Sequence, residues 1–148
     1  MNLALALTPF ITVMTGVIVF VLGQIIMTLF IERIKLQNRT IERIAECLVI
    51  YAREYSNPRP TNPDPATANL FREAQVEFRR LAALLRSAPQ TLSWYPLFER
   101  LALVKHRSMV KQASESLIGL SNCIGGDAAA VESALQFRTT IETALALQ

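Results

Sequence analysis

Reactive chemistry has few places to reside in this sequence. It holds one histidine, His106 in "KHRS", and two cysteines, Cys47 and Cys123. A zinc site needs several Cys, His or carboxylate ligands at set spacings, and positions 47, 106 and 123 follow none of them. A Cys or Ser nucleophile needs a base within hydrogen-bond reach and donors for an oxyanion. Cys123 in "SNCIGG" has glycine amides nearby, and its base would have to be His106. The plainer expectation is a small apolar thiol closing a helix and a surface histidine in a basic turn. The five glycines, Gly16, Gly23, Gly119, Gly125 and Gly126, spell no phosphate loop. Asp127 after Gly125-Gly126 fits a helix cap better than an anion site. No catalytic residue, metal ligand or cofactor is expected, and the chain is not expected to be an enzyme.

The net charge is +3, carried by 15 Lys and Arg against 12 Asp and Glu. The balance is uneven: Arg72 to Lys111 holds eight basic and three acidic residues, while Gln112 to Gln148 holds one and four. A nucleic-acid surface would want aromatic or groove-reading residues within the basic patch. Trp94 and Tyr95 stand beside Pro96, where a packing or loop-anchoring role is the simpler expectation. Nucleic acid is therefore not the expected partner. Anionic lipid of an inner leaflet, which attracts Lys and Arg held near it, fits better.

These side chains sit on a chain of two halves. From Leu3 to Ile31 there is no Asp, Glu, Lys, Arg or His, and the chain as a whole is 51% hydrophobic with mean hydropathy +0.30. Spanning a bilayer core takes about 20 apolar helical residues, so residues 1–31 are expected to form a transmembrane signal anchor. Thr8-Pro9 reads as its helix start. A cleaved signal peptide would want a basic start and a small-x-small site, and neither "MNLALAL" nor "LFIERIK" supplies them. Lys and Arg follow the run but do not precede it. By the positive-inside rule the N-terminus lies outside and the rest in the cytoplasm, in an inner membrane. Arg33, Lys35, Arg39 and Arg43 are the expected juxtamembrane lipid contacts. Within the run, Thr12, Gly16, Gly23 and Gln24 are the candidates for self-association, through close helix approach at small residues and an amide that seeks a partner in lipid.

The stretch "MTLFIERIKLQNRTIERI", Met27 to Ile44, passes from apolar to charged with nothing in it to break a helix. Beyond it Ile34, Ile41, Ile44, Leu48, Tyr51 and Tyr55 mark an amphipathic stripe that needs a packing partner. One helix from Pro9 to Tyr55 is the expectation. Pro58, Pro60, Pro63 and Pro65 make residues 56–67 a connector. Further helices are expected over 66–87, closed by Ala88-Pro89; after Pro96, with Leu97, Phe98, Leu101 and Val104 inward; from an N-cap at Ser108 to "IGGD"; and from a cap at Asp127 onward. The fold class is all-α: one N-terminal transmembrane helix, continuous with a long amphipathic helix, packed into a small cytoplasmic helical bundle over residues 32–148.

This architecture allows two kinds of function. One is a membrane-anchored interaction or sensor module that forms a homo-oligomer through its span and juxtamembrane helix and binds a protein partner. The other is an oligomeric effector that perturbs the bilayer, with Gln24 and threonine hydroxyls lining a passage.

Overall fold

The computed structural model describes residues 3–58, 60, 63–91 and 95–147, apart from the side chains of residues 3–8, 29, 30, 33 and 91. Among them every regular element is helical, and no strand occurs. Helix α1 runs Leu3–Ile26, beginning before the expected Thr8-Pro9 start and carrying Pro9 inside it. A proline there removes one backbone hydrogen bond, which the helix absorbs. Next comes a single π turn, Met27–Ile31, and then α2, Glu32–Ile50. Ile26, Ile31 and Glu32 all keep right-handed helical angles, so the rod passes through the π turn without a break. Leu3 to Ile50 is about 70 Å at 1.5 Å per residue.

The rod ends earlier than Tyr55. Tyr51 leaves helical geometry at φ −95°, ψ 20°, and a short α3, Ala52–Ser56, follows. The kink leaves both tyrosines edge-on to Phe78, with ring centroids 5.9 and 6.4 Å away. The Tyr55 hydroxyl reaches back to donate to the Leu48 carbonyl at 2.7 Å.

α4, Pro65–Thr91, starts as a helix N-terminus should: Pro65 occupies the first position, and Asp64 Oδ1 accepts from the Thr67 amide at 3.3 Å. The connector is thus shorter than 56–67. At the other end α4 runs through Pro89 instead of stopping at Ala88. Pro89 lies in the last turn, where the cost is one lost bond, and its carbonyl accepts from Arg107 at 3.3 Å. α5 is Tyr95–Arg100, α6 is Arg107–Cys123 and α7 is Ala128–Leu145.

Cross-contacts set the topology. Arg43 meets Glu77 and Tyr51 meets Glu73, so α4 runs antiparallel to α2. Arg107 meets Pro89 and Arg79 meets Asn122, so α6 reverses again. Gly125, at φ 78°, makes the tight turn into α7, and Asp127 caps α7 by accepting from Ala130 at 3.0 Å. Gly119 lets α6 and α7 approach, since a Cβ there would meet the Phe137 ring at 2.6 Å. The result is an up-down-up-down bundle of α2, α4, α6 and α7, with α3 closing against α7. Its core holds Ile44, Leu48, Phe78, Leu85, Leu117, Leu120 and Ile141. Leu70 and Leu135, on the same helices as this core, are exposed.

Two helices end in alanine with left-handed angles. Ala102 has φ 55° and Ala146 φ 51°. Around Ala102, Leu103 N–H donates to the Phe98 carbonyl and Ala102 N–H to that of Glu99, the paired bonds of a Schellman cap. Glycine is usual at such a position, because a Cβ in the left-handed region costs about 1–2 kcal/mol. The hydrogen bonds of each cap offset that cost.

Candidate functional site

Among the described residues one helical stretch is long and apolar enough to cross a membrane: Pro9–Ile26, near the N-terminus and wholly exposed. A core helix of the same composition would be covered by its own protein; here none of the described residues covers it. Thr12, Gly16 and Gly23 fall within about 40° of one another around α1, counting about 100° per residue. Cβ atoms built on Gly16 and Gly23 would meet nothing within 4 Å, which leaves that stripe open to a neighbouring helix. Gln24, one residue on from Gly23, stands about 100° away and shares no line with it. The Thr15 hydroxyl donates to the Ile11 carbonyl at 2.8 Å.

The basic residues after the apolar run separate by height and by pairing. The Arg33 side chain lies outside the described residues. Lys35 and Arg39 are exposed, about 6 and 12 Å along the axis from Ile31. Arg43 is about 18 Å away and engaged: it pairs with Glu46 at 2.7 Å and Glu77 at 3.5 Å. The hydrogen bond to Glu46 is the main cause that raises its guanidinium pKa above the usual value. The stripe of α2 is used inside the chain. Ile41, Ile44, Leu48 and Tyr55 are buried and Ile34 and Tyr51 half-buried, against α4 and its neighbours, so this face is not open for association between copies.

A second, smaller cluster sits at the end of the bundle where α2 begins. Tyr95 and Val104 are buried there, with Ile34 and Phe98 against them. Gln37, only 2% exposed, donates through Nε2 to the Tyr95 hydroxyl at 3.3 Å. That hydroxyl in turn donates to the Lys105 carbonyl, and Arg107 lies over the ring, 5.9 Å from its centroid. Burial pushes the Tyr95 phenol up, so it remains the donor. Sequence reading missed this contact, although Gln37 stands three residues after Ile34 and four before Ile41, on the buried stripe. Its Oε1 is buried and meets no donor among the described residues. A weak bond and an orphaned acceptor together favour an apolar replacement of the same shape. Gln37→Met is expected to raise stability by about 1 kcal/mol, read as a higher unfolding temperature of the full chain in micelles; a drop of that size would show that Oε1 is satisfied.

His106 and Cys123 do not come together. They stand at opposite ends of α6, about 25 Å apart along its axis. His106, not Ser108, is the N-cap: its Nδ1 accepts from the Ser108 amide at 3.3 Å, which leaves Nε2 to bond Glu99 at 2.6 Å. Burial raises both thiol pKa values, the direction that disfavours a thiolate nucleophile. Among the described residues no group of three His, Cys, Asp or Glu side chains is placed to hold a metal ion. Trp94 lies outside the described residues.

Comparison of the chain with protein-family models, with curated proteins and with solved structures finds no match.

Proposed function

We propose that the chain is a single-pass, membrane-anchored helical module that self-associates through its span and displays its bundle, on the cytoplasmic side of an inner membrane, to a protein partner. The observation that carries this reading is the unbroken rod from Leu3 to Ile50. One end of it is bare and apolar, and the other is locked into a packed core. A change in how two spans meet would therefore reach the bundle without a hinge to absorb it. Orientation follows the basic residues that come after the apolar run. Self-association rests on the open stripe of Thr12, Gly16 and Gly23.

The bilayer-perturbing alternative draws less support, because Thr15 spends its hydroxyl on its own backbone instead of offering it to a passage. Cross-linking of the full chain in native membranes, followed by mass spectrometry, tests the proposal. The expected result is a homo-oligomer that disappears in a Gly16→Ile, Gly23→Ile variant, together with a captured partner that contacts the bundle. Persistence of the same oligomer in that variant would remove the stripe from the account. Depolarisation on expression, lost in Gln24→Leu, would favour the effector.

A further inference from the structure

We infer that α5 and the turn after it, residues 95–103, are a second membrane contact, a wedge that sets Leu97, Leu101 and Leu103 into the headgroup boundary of an anionic leaflet beside the emerging span. The inference rests on the reading of Pro9–Ile26 as a span.

The starting point is a mismatch between periodicity and packing. Leu97 and Leu101 were expected inward with Phe98 and Val104, yet they are 46% and 59% exposed, and Leu103 is 50% exposed. Single exposed leucines are ordinary. Three within seven residues, on one turn and a half of helix and its cap, form a patch. The inner face of the same segment is fully used, with Tyr95 and Val104 buried and Phe98 packed on them. α5 is thus apolar on two sides, and the bundle covers only one. The Schellman cap at Ala102 holds the turn that leaves both Leu101 and Leu103 outside.

Height selects the occupant of the other side. α5 is pinned to α2 by Ile34 and by the Gln37–Tyr95 bond. Those residues lie about 5 and 9 Å along the axis from Ile31, where the apolar run ends. The headgroup layer on each side of a bilayer is about 5–8 Å deep. With the apolar run in the hydrocarbon as far as Ile31, α5 is held near the depth where amphipathic segments rest on a membrane. The continuous rod fixes this height, since no loop intervenes between span and bundle.

Charge agrees. Arg100 is the last residue of α5, and Arg86, Arg107 and Lys111 line a neighbouring groove at the same end of the bundle, Lys111 with Glu115 3.9 Å away. The nearest acid, Glu99, is engaged with His106. Each basic group near an anionic surface is worth about fivefold in binding. Lipid with a negative headgroup matches leucines rimmed by arginine and lysine.

The test uses the full chain in phosphatidylcholine vesicles with and without phosphatidylglycerol. Leu101→Trp is read in a Trp94→Phe background, with Val49→Trp as a control far along α2 on an exposed position. Resistance of the protein to alkaline extraction is scored in parallel and reports on the span alone. The expected result is that lipids brominated near the headgroup quench Leu101→Trp and not Val49→Trp, that iodide reaches Leu101→Trp several-fold less well, and that both effects weaken without phosphatidylglycerol. An extraction-resistant protein whose Leu101→Trp escapes brominated lipid and meets iodide freely would overturn the wedge and leave the span standing. Release by alkali would overturn the span reading itself. Shielding from iodide in micelles and vesicles alike, without lipid quenching, would assign the leucines to a protein surface and overturn the lipid assignment. Quenching indifferent to phosphatidylglycerol would overturn the role given to charge.

Discussion

Phe78→Ala should lower the stability of the bundle by about 3–5 kcal/mol, a large share of the roughly 5–15 kcal/mol that holds a domain of this size together. The side chain is fully buried on α4 and stands where α2, α3 and α4 meet, with Tyr51 and Tyr55 edge-on to its ring. Truncation removes a large apolar surface and leaves a cavity that two tyrosines anchored elsewhere cannot fill. Tyr55 is held by its bond to the Leu48 carbonyl and Tyr51 by its bond to Glu73. Denaturant unfolding of the full chain in micelles, followed by circular dichroism, measures the loss. The α1 signal should persist after the bundle has melted, because α1 does not depend on the core. A variant that unfolds at the wild-type midpoint would show that the core is organised around some other residue.

The second large effect concerns the span, and magnitudes decide how many charges it takes. Eleven of the eighteen residues from Pro9 to Ile26 are Phe, Ile, Val or Leu. At about 0.3–0.6 kcal/mol each, they favour insertion by about 3–7 kcal/mol before the smaller costs of Gly, Thr, Pro and Gln. One lysine near the centre costs about 2.5–3.5 kcal/mol, so Val17→Lys alone should leave most of the protein in membranes. Adding Val21→Lys brings the cost to about 5–7 kcal/mol, enough to cancel the driving force. The double variant should appear in the soluble fraction after alkaline extraction, with its bundle folded. A double variant still held by membranes would mean that more than the span anchors the chain. Residues 95–103 would then be the first place to look.

The parts of this structure that were legible in the sequence are those where spacing and burial agree over several turns. Ile34, Ile41, Ile44, Leu48, Tyr51 and Tyr55 lie at helical spacing over six turns, and the fold buries all of them at least in part. Asp127 and Gly125 were legible because a cap and a left-handed turn each demand a particular residue type. α5 was not legible in the same way. Six residues complete too few turns for periodicity to separate a core face from a second apolar face, so Leu97 and Leu101 were assigned inward with Phe98. Gln37 escaped because a polar residue on an apolar stripe looks like its edge until Tyr95, far away in sequence, arrives to bond it. The π turn left no trace at all. Its residues are as apolar as those of the helix before it, and the angles of Ile26, Ile31 and Glu32 around it are ordinary helical ones.

That turn has a consequence for azimuth. Gly23 and Ile41 are eighteen residues apart, five whole turns of a regular α-helix, which would point the small-residue stripe of the span to the side on which α2 faces α4. A single π turn holds one residue more than an α turn, a phase shift of about 100°. Gly23 is thereby aligned with Glu42, on the solvent side of α2. Two spans joined along their glycines would then carry their bundles outward, back to back, with the charged flanks of two α2 helices across the symmetry axis. Deleting one residue from Met27–Ile31 would scarcely shorten the rod; it would turn the bundles inward, toward collision. In a pair assembled in a membrane, these five residues would thus act as a phase setting.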